Sequence, residues 1–352
     1  MSDRIDVIPQ SGVPRVSFSE LVDLASDRVG GEALWANNEF FAPKERLVQA
    51  APAVFIADKY DDHGKWMDGW ETIRRRTPGH DSCVVKLGIP GVIRGVNVDT
   101  AFFVGNYPEY CSLEAIEADG TLPSEALTLD GGPWKEIVSK TLLLGGSFNY
   151  IPVTSSARWT HLRLKIYPDG GIARLRVHGE ARPDWKKLKE KNKGGTVDLS
   201  AIENGGTVVT CNDNFFGPKD NLILPERSKT MGGGWETRRK RGPGYDWIVV
   251  RLGHSGKVRK LEVDTHLYKG NFPESCSVDG LVLHESLQAC DVRDRTDLKW
   301  QEILPRTKLQ PSQQHFFERE LKNIATAYQY IRLNIYPDGG ISRLRVHGDL
   351  TD

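Results

Sequence analysis

The chain carries nearly the same text twice, and this duplication bounds every reading of its fold. Residues 70–112 (WETIRRRTPGHDSCVVKLG…VDTAFFVGNYPEYCS) align without a gap on 235–277 (WETRRKRGPGYDWIVVRLG…VDTHLYKGNFPESCS), with 23 of 43 positions identical. A second block, LRLKIYPDGGIARLRVHG at 162–179, returns as IRLNIYPDGGISRLRVHG at 331–348 with 15 of 18 identical. A fainter echo pairs NNEFFAPK at 37–44 with NDNFFGPK at 212–219. Its offset is 175 against 165 for the first block, which puts about ten extra residues between Lys44 and Trp70 of the first copy. Such a period is too long for a solenoid unit, whose repeats run about 20–50 residues. It is the size of an ordinary domain, and 352 residues suit two of them. The first is expected from about residue 16 to 180 and the second from 196 to 349, joined by the lysine-rich stretch ARPDWKKLKEKNKGG at 181–195.

Charge and cysteine usage narrow the class. Lys and Arg number 47 and Asp and Glu number 47, so the formal net charge is zero and nothing points to nucleic acid or an anionic membrane as partner. No apolar run reaches the length of a membrane span, and MSDRIDVIPQ at the N-terminus lacks a leader pattern, so a cytoplasmic protein is expected. Cys83, Cys111, Cys211, Cys276 and Cys290 are odd in number and lack CxxC spacing, which reads as reduced thiols. Cys111 and Cys276 are equivalent across the copies and are expected to be small buried hydrophobes.

Short strands between turns dominate each copy. In LRLKIY, Leu162, Leu164 and Ile166 alternate with Arg163, Lys165 and Tyr167, the period of a half-buried strand. PDGG at 168–171 is a turn signal, and IARLRVH returns from it, so a hairpin is expected here and again at 331–348. Arg174, Arg176 and His178, with their twins Arg343, Arg345 and His347, would lie on a solvated or inter-domain face. Val84–Leu87 and Val96–Asp99 read as separate strands, as do Val249–Leu252 and the neighbourhood of Val263, the first of each pair being closed by a glycine. Some helical character is confined to FFERELKNIATAYQYIRL near 316–333. The pattern predicts an all-β fold, one sandwich per copy.

Two clusters could carry chemistry. The first is MDGWETIRRRTPGHD at 67–81 and GGGWETRRKRGPGYD at 232–246, where carboxylates, arginines and aromatics share a loop-like segment. A guanidinium can hold a carboxylate bidentately, and Glu71 or Glu236 can act as acid or base once its pKa is tuned. Equally, these glutamates can pair with their own arginines while the tryptophans fill the core. The second cluster is VDTAFFVGNYPE at 98–109 and VDTHLYKGNFPE at 263–274. Asp99 and Asp264 stand at strand ends. Asn106 and Asn271 can bind a urea-like ligand or satisfy their own turn. His266 replaces Ala101 and is specific to the second copy. The nine histidines show no HxxxH or HxH spacing, and GxxxxGK, GxGxxG and GxSxG are all missing. No metal or cofactor is expected from motifs, and a divalent ion held by distant loops is left open.

At these residues the chain resembles the allantoicase family. The carriers are GWETIRRR…GHD and GWETRRKR…GYDW, the VDT…GN(Y/F)PE segments and both IYPDGGI(A/S)RLRVHG blocks, which together cover nearly the whole chain. The resemblance implies two tandem jelly-roll β-sandwiches of the galactose-binding, discoidin-like kind, a homo-oligomer, and hydrolysis of allantoate to ureidoglycolate and urea. Allantoate is a carboxylate on a carbon bearing two ureido groups. On this reading Arg75 or Arg239 anchors the carboxylate. Glu71 or Glu236, helped by Asp81 or Asp246, handles protons and ureido N–H groups. Arg238, His80, Asp99, Asn106, Asp264, His266 and Asn271 complete the candidate contacts. The copies differ at Ile73 against Arg238, at His80 and Ser82 against Tyr245 and Trp247, and at Asp68 against Gly233. The alternative is a pair of non-catalytic modules for small ligands or carbohydrate, because this fold alone never implies activity.

Overall fold

The computed structural model describes residues 5–7, 16–118, 122–123, 132–193 and 195–351. The chain is nearly all β and divides after Arg182 into two compact units, 1–182 and 183–352. The strand order of the first is Lys135–Leu142, Tyr110–Ile116, Arg158–Tyr167, Asp81–Asp99, Arg174–Ala181, Val22–Asp23. The second repeats it with Gln301–Lys308, Ser275–Leu281, Ala327–Tyr336, Asp246–Asp264, Arg343–Leu350, Val197–Asp198. Among the described residues no helix is long and apolar enough to cross a membrane.

The separate strands expected at 84–87 and 96–99 are one strand of 19 residues, Asp81–Asp99, and its twin is Asp246–Asp264. The first half of Asp81–Asp99 pairs with Arg158–Tyr167 and Glu32–Ala36, and its second half with Arg174–Ala181 and Phe148–Pro152. One long strand thus runs through both layers of the sandwich. Gly88, which looked like a strand end, is instead a point of close approach: a Cβ there would lie 2.3 Å from the Val29 carbonyl oxygen.

The expected PDGG hairpin is also corrected. Arg158–Tyr167 and Arg174–Ala181 each pair with the long strand, and the turn residues Gly171–Ile172 pair with Trp70–Glu71. The segment 316–333 holds no helix. It is the strand Gln314–Phe317, a turn region, and the strand Ala327–Tyr336. There Tyr328, Tyr330, Leu333 and Ile335 are buried, and packing on the sheet outweighs the weak helical periodicity. The segment 181–195 contains the helix Trp185–Lys191, with Asp184 accepting from the Lys187 N–H and Trp185 edge-on to His254.

The strand Arg158–Tyr167 is covered on both faces, not half-buried. Arg163 and Lys165 both reach Glu114, at 2.6 and 3.0 Å, and the Arg163 guanidinium lies 4.8 Å from the Trp134 ring centroid. Arg332, Asp279 and Trp300 repeat the arrangement in the second unit. The arginines of LRVH do not form a solvated face either. Arg174 is 1% exposed, donates to the Asp68 carboxylate at 2.8 Å and to the carbonyls of Ala51 and Asp68, while Arg176 holds the carbonyls of Gln49, Ala50 and Ala51. Arg343 and Arg345 do the same for Gly233, Glu226, Leu224 and Pro225. A guanidinium carries five donors in a fixed fork, which suits it to pin a carbonyl-rich loop onto a strand. Cys83, Cys111 and Cys276 are buried free thiols, and burial pushes Cys111 and Cys276 up to about 12.

Candidate active site

Three motifs meet at one place in each unit. Glu71 sits on the two-residue strand Trp70–Glu71 and Asn106 on the GNYPE loop, and the PDGG turn locks the two together. The Thr72 N–H donates to the Gly170 carbonyl at 3.1 Å and the Gly171 N–H to the Asn106 carbonyl at 2.8 Å. The second unit reproduces this with Thr237 to Gly339 at 3.1 Å and Gly340 to Asn271 at 2.9 Å. Gly170 and Gly339 have φ of +139° and +136°, and a Cβ at either would fall within 3 Å of the GN loop backbone. Only glycine meets both demands. Trp70 and Trp235 anchor the motif in the core.

The result is a carboxylate–amide pair in both copies. Asn106 Nδ2 donates to Glu71 Oε1 at 2.6 Å, and Asn271 Nδ2 donates to Glu236 Oε1 at 2.6 Å. Among the described residues the other carboxylate oxygen and the amide oxygen have no protein partner in either copy, so each pair presents two acceptors. Glu71 is 8% exposed, and burial pushes its carboxyl up, against the Asn106 hydrogen bond that lowers it.

The pockets around the two pairs differ. In the second unit a pocket of about 680 Å³ is lined by Glu236, Asn271, Thr237, Arg239, Arg241, Lys308, Gln310 and Asp338, with Phe216 and Phe272 as walls. Asp338 accepts the Lys240 N–H and Glu274 pairs with Arg306, whereas Arg239, Arg241 and Lys308 have no ion pair among the described residues. In the first unit the pocket is about 340 Å³ and opens toward Phe41, Phe55, Lys65, Met67 and Phe102 beside Glu71 and Asn106. Phe55 and Lys65 come from the region between Lys44 and Trp70 where the first copy is about ten residues longer, and Met67 stands where the second copy has Gly232.

Of the candidates read from the sequence, the structure brings Glu71 with Asn106, and Glu236 with Asn271 and Arg239. Asp81 is elsewhere: it accepts from Arg75 at 2.7 Å and Asn37 at 2.8 Å, as Asp246 accepts from Lys240 and Asn212, both at 2.8 Å. Arg75 is thereby committed to Asp81. Arg238 pairs with Asp213 at 2.7 Å and His80 lies against Tyr167. Asp99 accepts the Ala101 N–H, and burial pushes it up to about 6. Asp264 accepts the His266 backbone N–H and hydrogen bonds from Arg227 Nε and Nη2, and His266 sits at a strand end outside the pocket lining. Sequence reasoning missed Arg241, Lys308, Gln310 and Asp338. Arg241 and Asp338 stand in motifs shared by the copies, a signal that could have found them. Lys308 and Gln310 lie where the copies barely align. Among the described residues no group of three or more His, Cys, Asp or Glu side chains is placed to hold a metal ion.

The Allantoicase repeat family matches the chain twice, at residues 22–182 and 197–351. The chain belongs to the allantoicase family. A probable allantoicase 1 of Burkholderia mallei is 48% identical over 329 residues, covering 94% of each chain. The allantoicase of Dictyostelium discoideum is 46% identical over 334 residues, covering 95% of this chain and 88% of that one. The crystal structure of allantoicase from Saccharomyces cerevisiae superposes with a TM-score of 0.78 at 32% identity, covering 98% of this chain and 100% of that one. The duplicated jelly-roll architecture is therefore the family's own, and the paired Glu–Asn motifs sit at corresponding places in its two repeats.

Proposed function

We propose that the second-repeat pocket is where this chain, an allantoicase, converts allantoate and water into ureidoglycolate and urea. The observation that supports this site is the meeting of the Glu236–Asn271 pair with three cations, Arg239, Arg241 and Lys308, that have no ion pair among the described residues. The substrate carboxylate faces those cations, with Arg239 and Lys308 its principal partners. The ureido N–H groups face the free oxygens of Glu236 and Asn271, and Gln310 adds an amide at the rim.

Hydrolysis breaks one bond from the central carbon to a ureido nitrogen and forms a bond from that carbon to water oxygen. Glu236 accepts the proton that water loses and returns it to the departing nitrogen, which leaves as urea. The pair is already hydrogen-bonded before substrate enters, so the base is oriented in advance. Arg75, Asp81 and Asp246 support the loop that carries the glutamate. Free thiols at Cys83, Cys111, Cys211, Cys276 and Cys290 support a cytoplasmic setting, and the exposed Leu142 and Leu144 of the first repeat support a homo-oligomer.

The test is urea release from allantoate by Glu71→Gln and Glu236→Gln made separately. Glu236→Gln is expected to lower kcat by about 100-fold, the size of a lost general base, and Glu71→Gln by less than about threefold. If Glu71→Gln carries the large loss, the working site is the first repeat. If neither variant loses about tenfold, the glutamates are not the proton carriers.

A further inference from the structure

The duplicated pair borders pockets of different lining in the two repeats. Around Glu236 and Asn271 the pocket extends to Arg239, Arg241 and Lys308. Around Glu71 and Asn106 it extends instead to the longer 45–69 segment of the first copy, where Phe55 stacks on Phe102 at 5.7 Å between centroids, and to the buried Met67, which replaces Gly232. The inserted Lys65 also lines this pocket. Its ammonium donates to the Ile56 carbonyl at 2.7 Å and to the Ala57 carbonyl, and lies 4.8 Å from the Phe55 ring centroid. One carboxylate and one tethered ammonium therefore share a small aromatic-walled space.

That balance selects by charge. The Glu71 carboxylate, with Asp61 close enough to push its pKa further up, repels an anion such as a carboxylate-bearing ureide, and Lys65 repels a second cation. What remains favourable is an uncharged molecule that donates N–H bonds to the free oxygens of Glu71 and Asn106 and lays its body on the rings. We propose that the first-repeat pocket is a second binding site, specific for a small neutral ureide such as urea or a mono-substituted urea. This rests on the reading of the Glu–Asn pair as a ureido holder. It assigns the two copies ligands of different charge, an anionic ureide to the second and a neutral one to the first.

The full chain is titrated with N-methylurea at millimolar concentration by saturation-transfer NMR on the methyl signal. Wild type, Glu236→Gln, and Glu236→Gln combined with either Glu71→Gln or Gly105→Trp are compared. Gly105 lines the first pocket, its φ is not positive, and a Cβ there meets nothing within 4 Å, so tryptophan can close the mouth without disturbing the fold. The signal should persist in Glu236→Gln and weaken about tenfold when either second change is added, because a site built to hold N–H groups loses that discrimination with its acceptor or its space. Glycolate and guanidinium at equal concentration should displace little of it. Loss of the signal in Glu236→Gln alone, or its persistence in both double variants, overturns the second site. In Glu236→Gln, displacement by guanidinium or by allantoate overturns its neutral character. Wild type that binds N-methylurea yet releases no urea from allantoate would reject the hydrolytic reading and leave this one standing.

Discussion

Equivalent residues in the two repeats have different surroundings. Position 308 is Lys in the second repeat and sits at the pocket, while the first repeat has the exposed Leu142 at the corresponding strand end. Lys308→Met should raise KM for allantoate about tenfold, with kcat within about threefold, because under the proposed assignment the lysine binds the carboxylate in ground and transition state alike. Steady-state urea release read as a KM–kcat split checks this, and a fall in kcat alone would place Lys308 at the reacting carbon. Asp99 and Asp264 also diverge. Arg227 holds Asp264 through both carboxylate oxygens, whereas burial pushes Asp99 from 3.8 up to about 6. A carboxyl with a raised folded-state pKa binds more protons folded than unfolded between about pH 4 and 6, so its contribution to stability falls as pH rises through that window. Ionised Asp99 then costs about 3 kcal/mol near neutrality. Asp99→Asn keeps an oxygen for the Ala101 N–H and should melt higher than wild type at pH 7.5, with the difference shrinking toward pH 4. A lower melt at pH 7.5 would mean that Arg174 and Arg176 stabilise the carboxylate more than burial penalises it.

The decisive element is the PDGG turn, and its role was only partly visible in the sequence. Its composition announced a turn, and a turn is present. The hairpin was not, because Gly171–Ile172 pairs with Trp70–Glu71 and the flanking strands pair with the long strand. Gly339→Ala should cost about 1–3 kcal/mol through its positive φ and the approach of the Asn271 carbonyl, and should lower kcat/KM about tenfold or more by moving the Glu236–Asn271 pair. Gly170→Ala should cost similar stability and leave kcat/KM within about threefold. Denaturant melts and urea release on both variants check the pair of outcomes, and equal kinetic losses would show that the two repeats act together. The long strand escaped detection for a related reason: Gly88 marks where backbone meets backbone, and a glycine kept for space looks in sequence like a glycine kept for a turn.

At the scale of the molecule, two units each own a buried core, and each pins its carbonyl-rich loops with buried arginines. The chain should therefore unfold in two steps, with a van't Hoff enthalpy below the calorimetric one. Arg174→Met leaves Asp68 as a buried unpaired charge and should lower only the transition of the first unit, by about 3–5 kcal/mol. Calorimetry of wild type and variant checks this, and a single transition shifted as a whole would show that the units unfold as one. The internal repeat and the all-β class were legible in the residues, and so were the glutamate, asparagine and turn segments taken one by one, because the copies preserve side chains whose backbone environments are the same. The sequence also supplied both glutamates, both asparagines and Arg239. It did not distinguish Arg75, which is ion-paired with Asp81, from Arg239 and Arg241, which line a pocket and have no ion pair among the described residues, since all belong to the duplicated arginine-rich run. Nor did it reveal Lys65, Lys308 and Gln310, which reach the sites from distant strands and an insertion. Local spacing records which groups are available. Only the packed chain decides which of them are already neutralised by a neighbour, and chemistry is left to those that are not.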